Sequence, residues 1–312
     1  MRRWTIYGKI LGTAILVVLI VRALLVTSCF IPSSGMENSL YQGEGVLVNK
    51  WSYGLRLPFP SLIGYHRWAS KRAAKGDVVV FNNPLPALRE QRLEARDVFI
   101  SRCIGTPGDT LLLDRELLAV DGEVFSPDTK ELYVYPSTQE DTLLAALASL
   151  GIRDNVLVGY EAGGRYIRSF SHYEYYLISQ RLGKVMELVA RSDQKLSSDV
   201  DSMGVRAQVL PFVVPAKGKP VRVYPWNVKL LCNTLVTHEH RRADVRGDSL
   251  FVNGQLATYV AFAKDDYWMA SNDPVNVNDS RLFGFVPEDH LIGQVWRVWY
   301  PARRGRFLQR VH

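Results

Sequence analysis

Cysteine is scarce: Cys29, Cys103 and Cys232 are the only three in 312 residues. They show no paired metal-ligand spacing and no dense framework, so neither a metal centre nor a disulfide-stapled fold is expected, and no cofactor is called for. Small buried thiols are the plain expectation, with a Cys103–Cys232 bridge left open for an oxidising compartment. Internal repeats are absent. A nucleic-acid motif is absent too, although the net charge is +7. The basic residues are dispersed in small groups: Arg2, Arg3 and Lys9; Lys71, Arg72 and Lys75; Arg241, Arg242 and Arg246; Arg303, Arg304 and Arg306. Solvated surface and attraction to anionic lipid account for them, and nucleic acid is not an expected partner.

Long apolar runs are lacking everywhere except the N-terminus. Ile10 to Val21 carries no charge, Arg22 interrupts, and Ala23 to Val26 is apolar again. Counted from Trp4, with its ends snorkelling, the segment meets the roughly 20 residues that a membrane-spanning helix needs. Arg2, Arg3 and Lys9 then favour a cytoplasmic N-terminus, with the bulk of the chain on the far side. No good small-x-small site follows, which argues against a cleaved secretory signal. Val26-Thr27-Ser28-Cys29 fits a lipobox-like pattern that would make Cys29 a lipidated residue, but Arg22 sits badly inside such a signal.

Beyond the apolar run the chain is rich in short β-branched segments. Gly45 to Lys50, Gly76 to Phe81, Val98 to Ile104 and the ending Val286 to Tyr300 read as strands. Asp121-Gly122 and Asn253-Gly254 signal tight hairpins. From about 128 to 248 the character changes: Ile178, Leu182, Val185 and Val189 fall at helical spacing and predict an amphipathic helix over 172–191. Gly163-Gly164 and the polar run 191–202 read as loops.

Four stretches resemble motifs of the type I signal peptidases, in the family's order. Ile31-Pro32-Ser33-Ser34-Gly35-Met36-Glu37-Asn38-Ser39-Leu40 resembles I-P-S-x-S-M-x-x-T-L. Gly76 to Phe81 resembles G-D-I-V-V-F, and Val98 to Asp109 resembles Y-[IV]-K-R-x-[IV]-G-x-P-G-D. Asn278 to Pro287 is similar to x-D-S-R-x-[FW]-G-x-V-P. The resemblance covers nearly the whole chain outside the 128–248 stretch.

That family works with a Ser-Lys dyad, in which a lysine made neutral by burial activates the serine hydroxyl. The resemblance places Gly35 at the nucleophile, Ser101 at the base and Val277 at the serine that orients the base. All three catalytic groups are replaced. The resemblance also assigns Ser33 to the oxyanion hole together with the Gly35 N–H, Met36 to the substrate groove beside them, and Asp279 with Arg281 to a structural ion pair. For Ser33 an ordinary turn hydrogen bond is an equal alternative. A rebuilt dyad finds little support: Ser34 in an extended segment points away from the Gly35 face, Ser101 has no visible base, and Lys50 and Lys75 read as solvated.

The expected fold is therefore mainly β: a signal-peptidase-type β domain with a single N-terminal transmembrane helix and an α/β insertion. Its expected parts are 1–27 as cytoplasmic N-terminus and anchor, 28–127 as β core with the nucleophile and base motifs, 128–248 as a noncatalytic insertion, and 249–312 as β core with the Asp-Ser-Arg motif. The resemblance implies a single-pass inner-membrane protein, mostly periplasmic, whose partners are membrane lipid, signal peptides of exported proteins and an active signal peptidase paralogue. An impaired or inactive paralogue is the first expectation. An active serine endopeptidase with relocated groups, and an envelope lipoprotein using the fold as structure, stand beside it.

Overall fold

The computed structural model describes residues 2–58, 60–85, 91–113, 130–152, 155, 157–188, 210–273 and 279–311. Val277 and the Asp121-Gly122 hairpin lie outside the described residues.

The chain opens with helix α1, Arg2–Leu24. Its large apolar side chains from Ile10 to Val21 are all exposed. Among the described residues no helix is long and apolar enough to cross a membrane. The uncharged run between Lys9 and Arg22 rises about 18 Å, against a hydrocarbon core of about 30 Å. A single residue separates α1 from strand β1, Val26–Phe30. Lys50, read from sequence as solvated, spans the join. Its Nζ donates to the carbonyls of Arg22 (3.1 Å) and Ala23 (3.0 Å), and its backbone N–H to that of Leu25 (2.9 Å). A cation there satisfies carbonyls the helix end leaves open and opposes its dipole.

The β-branched runs form one antiparallel sheet. Its strands are β1, β2 (Gly45–Asn49), β3 (Val78–Asn82), β4 (Val98–Gly105), β5 (Asp266–Ala270), β6 (Val286–Pro287) and β7 (Leu291–Tyr300). Their spatial order is β1-β2-β7-β3-β4-β5-β6. Strand β3 is buried at every residue, as its valine run requires. Register shifts interrupt the β2–β7, β7–β3 and β5–β4 pairings, and bulges of this kind curl a sheet. At Gly293 a Cβ would run into the Asn49 carbonyl, so the close approach of β7 to β2 requires glycine there. One face packs Ile31, Met36, Leu40, Val46, Val78 and Val298; the other packs Tyr53, Val79, Phe81, Cys103, Met269 and Phe283.

The Asn253-Gly254 hairpin forms as expected. Both residues have positive φ, 52° and 79°, which is the type I′ signature, and they join Ser249–Val252 to Gln255–Ala257. The 128–248 stretch contains two differently anchored parts. Residues 130–188 build their own four-stranded sheet with helices α2 (Glu140–Leu150) and α3 (His172–Leu182) around Tyr133, Tyr135, Leu143, Leu147, Phe170, Ile178 and Met186. Residues 210–238 instead share a core with the main sheet: Val228, Leu231 and Leu235 of helix α4 (Val228–His238) pack with Ile104, Trp268 and Phe285.

Helix α3 corrects the expected span of 172–191. It starts on a capping box between Ser171 and Glu174, and it stops at Leu182 because Gly183 takes φ 75° at the C-cap. Leu188 falls instead in the short strand Glu187–Leu188, paired with Tyr133 and Val134. All three cysteines are free thiols. The Cys103–Cys232 bridge does not form because Cys103 packs among Val79 and Phe81 whereas Cys232 belongs to the α4 core.

A buried polar group sits where α4 meets the start of β7. The His238 and His290 rings meet edge-on at 5.2 Å, and His290 Nδ1 lies 2.8 Å from Asp289, which also takes the Lys264 ammonium at 2.6 Å. Arg96 approaches His290 Nε2 at 3.1 Å. Burial, with His290 adding to it, pushes His238 down to about 3. Below pH 6.5 the unfolded chain therefore takes up a proton that the native chain refuses, so stability falls as the pH drops toward 3. Urea unfolding is expected to lose about 2 kcal/mol from His238 between pH 6.5 and 5, and His238→Gln should flatten that slope. An unchanged slope in the variant contradicts the assignment.

Candidate functional site

Ser34–Met36 form one turn of 3-10 helix, with Gly35 and Met36 buried. The turn corrects the expectation that Ser34 lies in an extended segment. Ser33 precedes it in an extended conformation, φ −145° and ψ 171°, and its side chain does not cap the turn. Met36 fills the core beside Ile31 and Leu40.

The turn lies against β4. Ser101 is fully buried in β4, opposite Val79 of β3. Strand alternation puts Ser101 on the face of Phe99 and Cys103, and puts Ile100 and Arg102 on the side of the turn. Arg102 makes the connection. Its guanidinium donates to Ser39 Oγ (2.7 Å), to the Gly76 carbonyl (2.7 Å) and to Asn272 Oδ1 (3.4 Å).

Asn272 is the hub of the site and is 1% exposed. Its Nδ2 donates to Ser39 Oγ (2.8 Å) and to the Glu37 carbonyl (3.2 Å). The next residue, Asp273, donates its N–H to the Gly35 carbonyl at 3.1 Å. Segments around Ser39, Arg102 and Asn272, more than sixty residues apart in sequence, thus converge on one buried polar knot. Buried polar groups of this kind are retained only when each finds partners, and this satisfaction fixes the local arrangement.

The fourth motif supports the knot from below. Asp279 is 0% exposed and caps helix α5 (Ser280–Phe283) by accepting the Arg281 N–H at 3.0 Å. The same carboxylate accepts the Ser271 N–H at 2.6 Å and the Arg281 guanidinium at 2.5 Å. Ser280 Oγ accepts the Met269 N–H at 2.8 Å. This pair and cap hold the β5 end, and hence Asn272, in register with the turn. Val277 falls outside the described residues.

Sequence reasoning passed over a further element of the site. Lys130, the first residue of the strand Lys130–Pro136, reaches in from the 130–188 unit. Its Nζ bonds the Glu37 carboxylate, and its N–H donates to the Asn272 carbonyl at 2.7 Å. Both side chains are almost wholly buried. Burial pushes the Glu37 carboxyl up, against the pull of Lys130. Asn272, Glu37 and Lys130 belong to no periodic pattern, which is why spacing did not mark them. The one available signal was that Ser271-Asn272-Asp273 lies a few residues ahead of the fourth motif.

No three described His, Cys, Asp or Glu residues are grouped to hold a metal ion. The chemistry on offer is hydrogen bonding from a buried polar knot beside a backbone turn that carries Gly35.

A family model described as "Signal peptidase, peptidase S26" matches residues 4–168, more than half of the chain. The chain is 35% identical to signal peptidase I of Pseudomonas aeruginosa over 119 residues, 38% of each protein. It is 31% identical to probable signal peptidase I-2 of Synechocystis over 39% of this chain and 47% of the relative. Against these two relatives the chain spans less than half of their length. Similarity to signal peptidase I of Buchnera aphidicola subsp. Acyrthosiphon pisum is broader: 31% identity over 284 residues, 91% of this chain and 71% of the relative.

Proposed function

Since the chain belongs to the signal peptidase family, peptidase S26, we propose that it binds the signal peptides of exported preproteins at the membrane without cleaving them. One observation carries this: Gly35, in the nucleophile's place, has no side chain. Ser101 in the base's place supports it, since a serine hydroxyl needs an adjacent base to attack. Lys130 is the one buried lysine among the described residues, and its ammonium is committed to Glu37. An extended peptide held by main-chain hydrogen bonds and shallow pockets needs neither group, so recognition survives their loss.

In this proposal α1 is the anchor. Lys9 and Arg22 snorkel outward and lengthen the usable apolar run, and the charges at 2, 3 and 9 keep the N-terminus cytoplasmic. Exposed Trp51, next to the Lys50 that bonds the end of α1, suits the lipid–water boundary. Membrane lipid and an active signal peptidase paralogue are the accompanying partners, and the bulk of the chain lies on the periplasmic side. The test is a cross-linking and cleavage assay on the full chain in vesicles. A model preprotein should be captured and remain intact, and the chain should resist alkaline extraction with its N-terminus uncleaved. Turnover of the preprotein overturns the proposal and favours an active peptidase with relocated groups.

A further inference from the structure

Lys130 does more than decorate the site. The 130–188 unit has a core made entirely of its own residues, and its strands pair only with one another among the described residues. An internal polar lock holds it together: Arg168 bonds Glu140 at 2.6 Å and the Tyr135 hydroxyl at 2.7 Å. Its packing therefore does not require the main sheet. Yet its first strand residue is sunk into the knot beside Gly35, bonded through both backbone and side chain.

The corner that carries Lys130 is firmly built. Lys130 pairs across the sheet with Ser171, the N-cap of α3, and Glu174 of the same capping box is close enough to act on Glu37. The ion pair so presented is a poor source of stability, because desolvation opposes it. Buried pairs of this kind are best attested as devices that fix one arrangement against another. The pair joins the strand Lys130–Pro136 and Asn272 to the end of the 3-10 turn that carries Gly35.

We infer that Lys130 is a latch: it fastens the 130–188 unit onto the turn that carries Gly35 and restricts access to that turn, and release from Glu37 and Asn272 opens the access. The inference concerns access to the site of the proposed function and rests on that reading for its purpose, although the latch itself is tested without any peptide.

The experiment is hydrogen exchange on the full chain in detergent, wild type against Lys130→Met, followed by titration with a model signal peptide. The amides of Lys130 and Asp273 should exchange at least tenfold faster in the variant. The amides pairing Lys130–Pro136 with Arg165–Ser171 beyond the first residue should keep wild-type protection. Glu37→Gln, which retains the shape of the acceptor, should move the same two amides in the same direction and serves if Lys130→Met does not fold. The peptide should bind the variants about tenfold more tightly. Unchanged exchange at Lys130 and Asp273 overturns the latch, as does loss of protection throughout the unit. If exchange rises as expected but no peptide binds either protein, the latch stands and the peptide-binding function fails.

Discussion

The purified wild-type chain should leave a preprotein intact, and Gly35→Ser alone should leave it intact as well. A serine without a base keeps its proton, and losing the nucleophile of a catalytic unit costs on the order of a million-fold in rate. Gly35→Ser combined with Ser101→Lys should give weak cleavage. The new lysine enters a fully buried position, and burial favours the neutral amine that can act as a base. The activity stays weak for two reasons. Residue 101 shares its face with Phe99 and Cys103, so the long side chain must bend around the strand edge to reach residue 35. It also lacks a partner to hold it there. Adding Val277→Ser should raise the rate further by supplying that partner. The measurement is the time course of preprotein cleavage for the four proteins. Robust turnover by the wild type, abolished by Ser34→Ala or Ser101→Ala, would show a rebuilt site.

Asp279→Ala should be the most destabilising single change in the site. The wild-type carboxylate is wholly buried and takes hydrogen bonds from Ser271, from the Arg281 backbone and from the Arg281 guanidinium. Its removal strands a nearly buried cation and two backbone donors at once. Breaking a buried pair from one side costs about 3–5 kcal/mol, well beyond the usual value for losing a helix cap. Asp279→Asn, which keeps acceptors in place, should cost less. Denaturant unfolding of the detergent-solubilised chain measures both. A loss below about 1 kcal/mol for Asp279→Ala would mean that the β5 end is held by something other than this carboxylate.

The main sheet was legible because its strands announce themselves. Val78-Val79-Val80-Phe81 is an unbroken apolar run led by three β-branched valines, and Asn253-Gly254 has the φ freedom a tight hairpin needs. Short-range rules carry such features. The end of α3 was not legible from periodicity, since Val185 and Val189 continue the helical spacing that Gly183 terminates. A single residue with positive φ outweighed the well-placed Val185, and Val189 lies outside the described residues. The site divides in the same way. Ser39 and Arg102, which meet in the knot, stand within motifs that the sequence displays. Lys130 and Asn272 were not, because their significance arises only when segments 93 and 235 residues apart from Glu37 fold onto it. Lys50 taught the same lesson: nothing in its neighbours along the chain shows that a helix end lies above it.

That join between α1 and β1 has a geometric consequence. With only Leu25 between helix and strand, and the Lys50 ammonium holding the last carbonyls, the joint transmits rotation without slack. An α-helix turns about 100° per residue. One residue inserted after Leu24 would therefore either turn the face bearing Lys9 by more than a quarter revolution relative to the sheet or tear the helix end from Lys50. The azimuth of the β domain about the helix axis is thus encoded in a residue count, and chain length at this point acts as an angular setting.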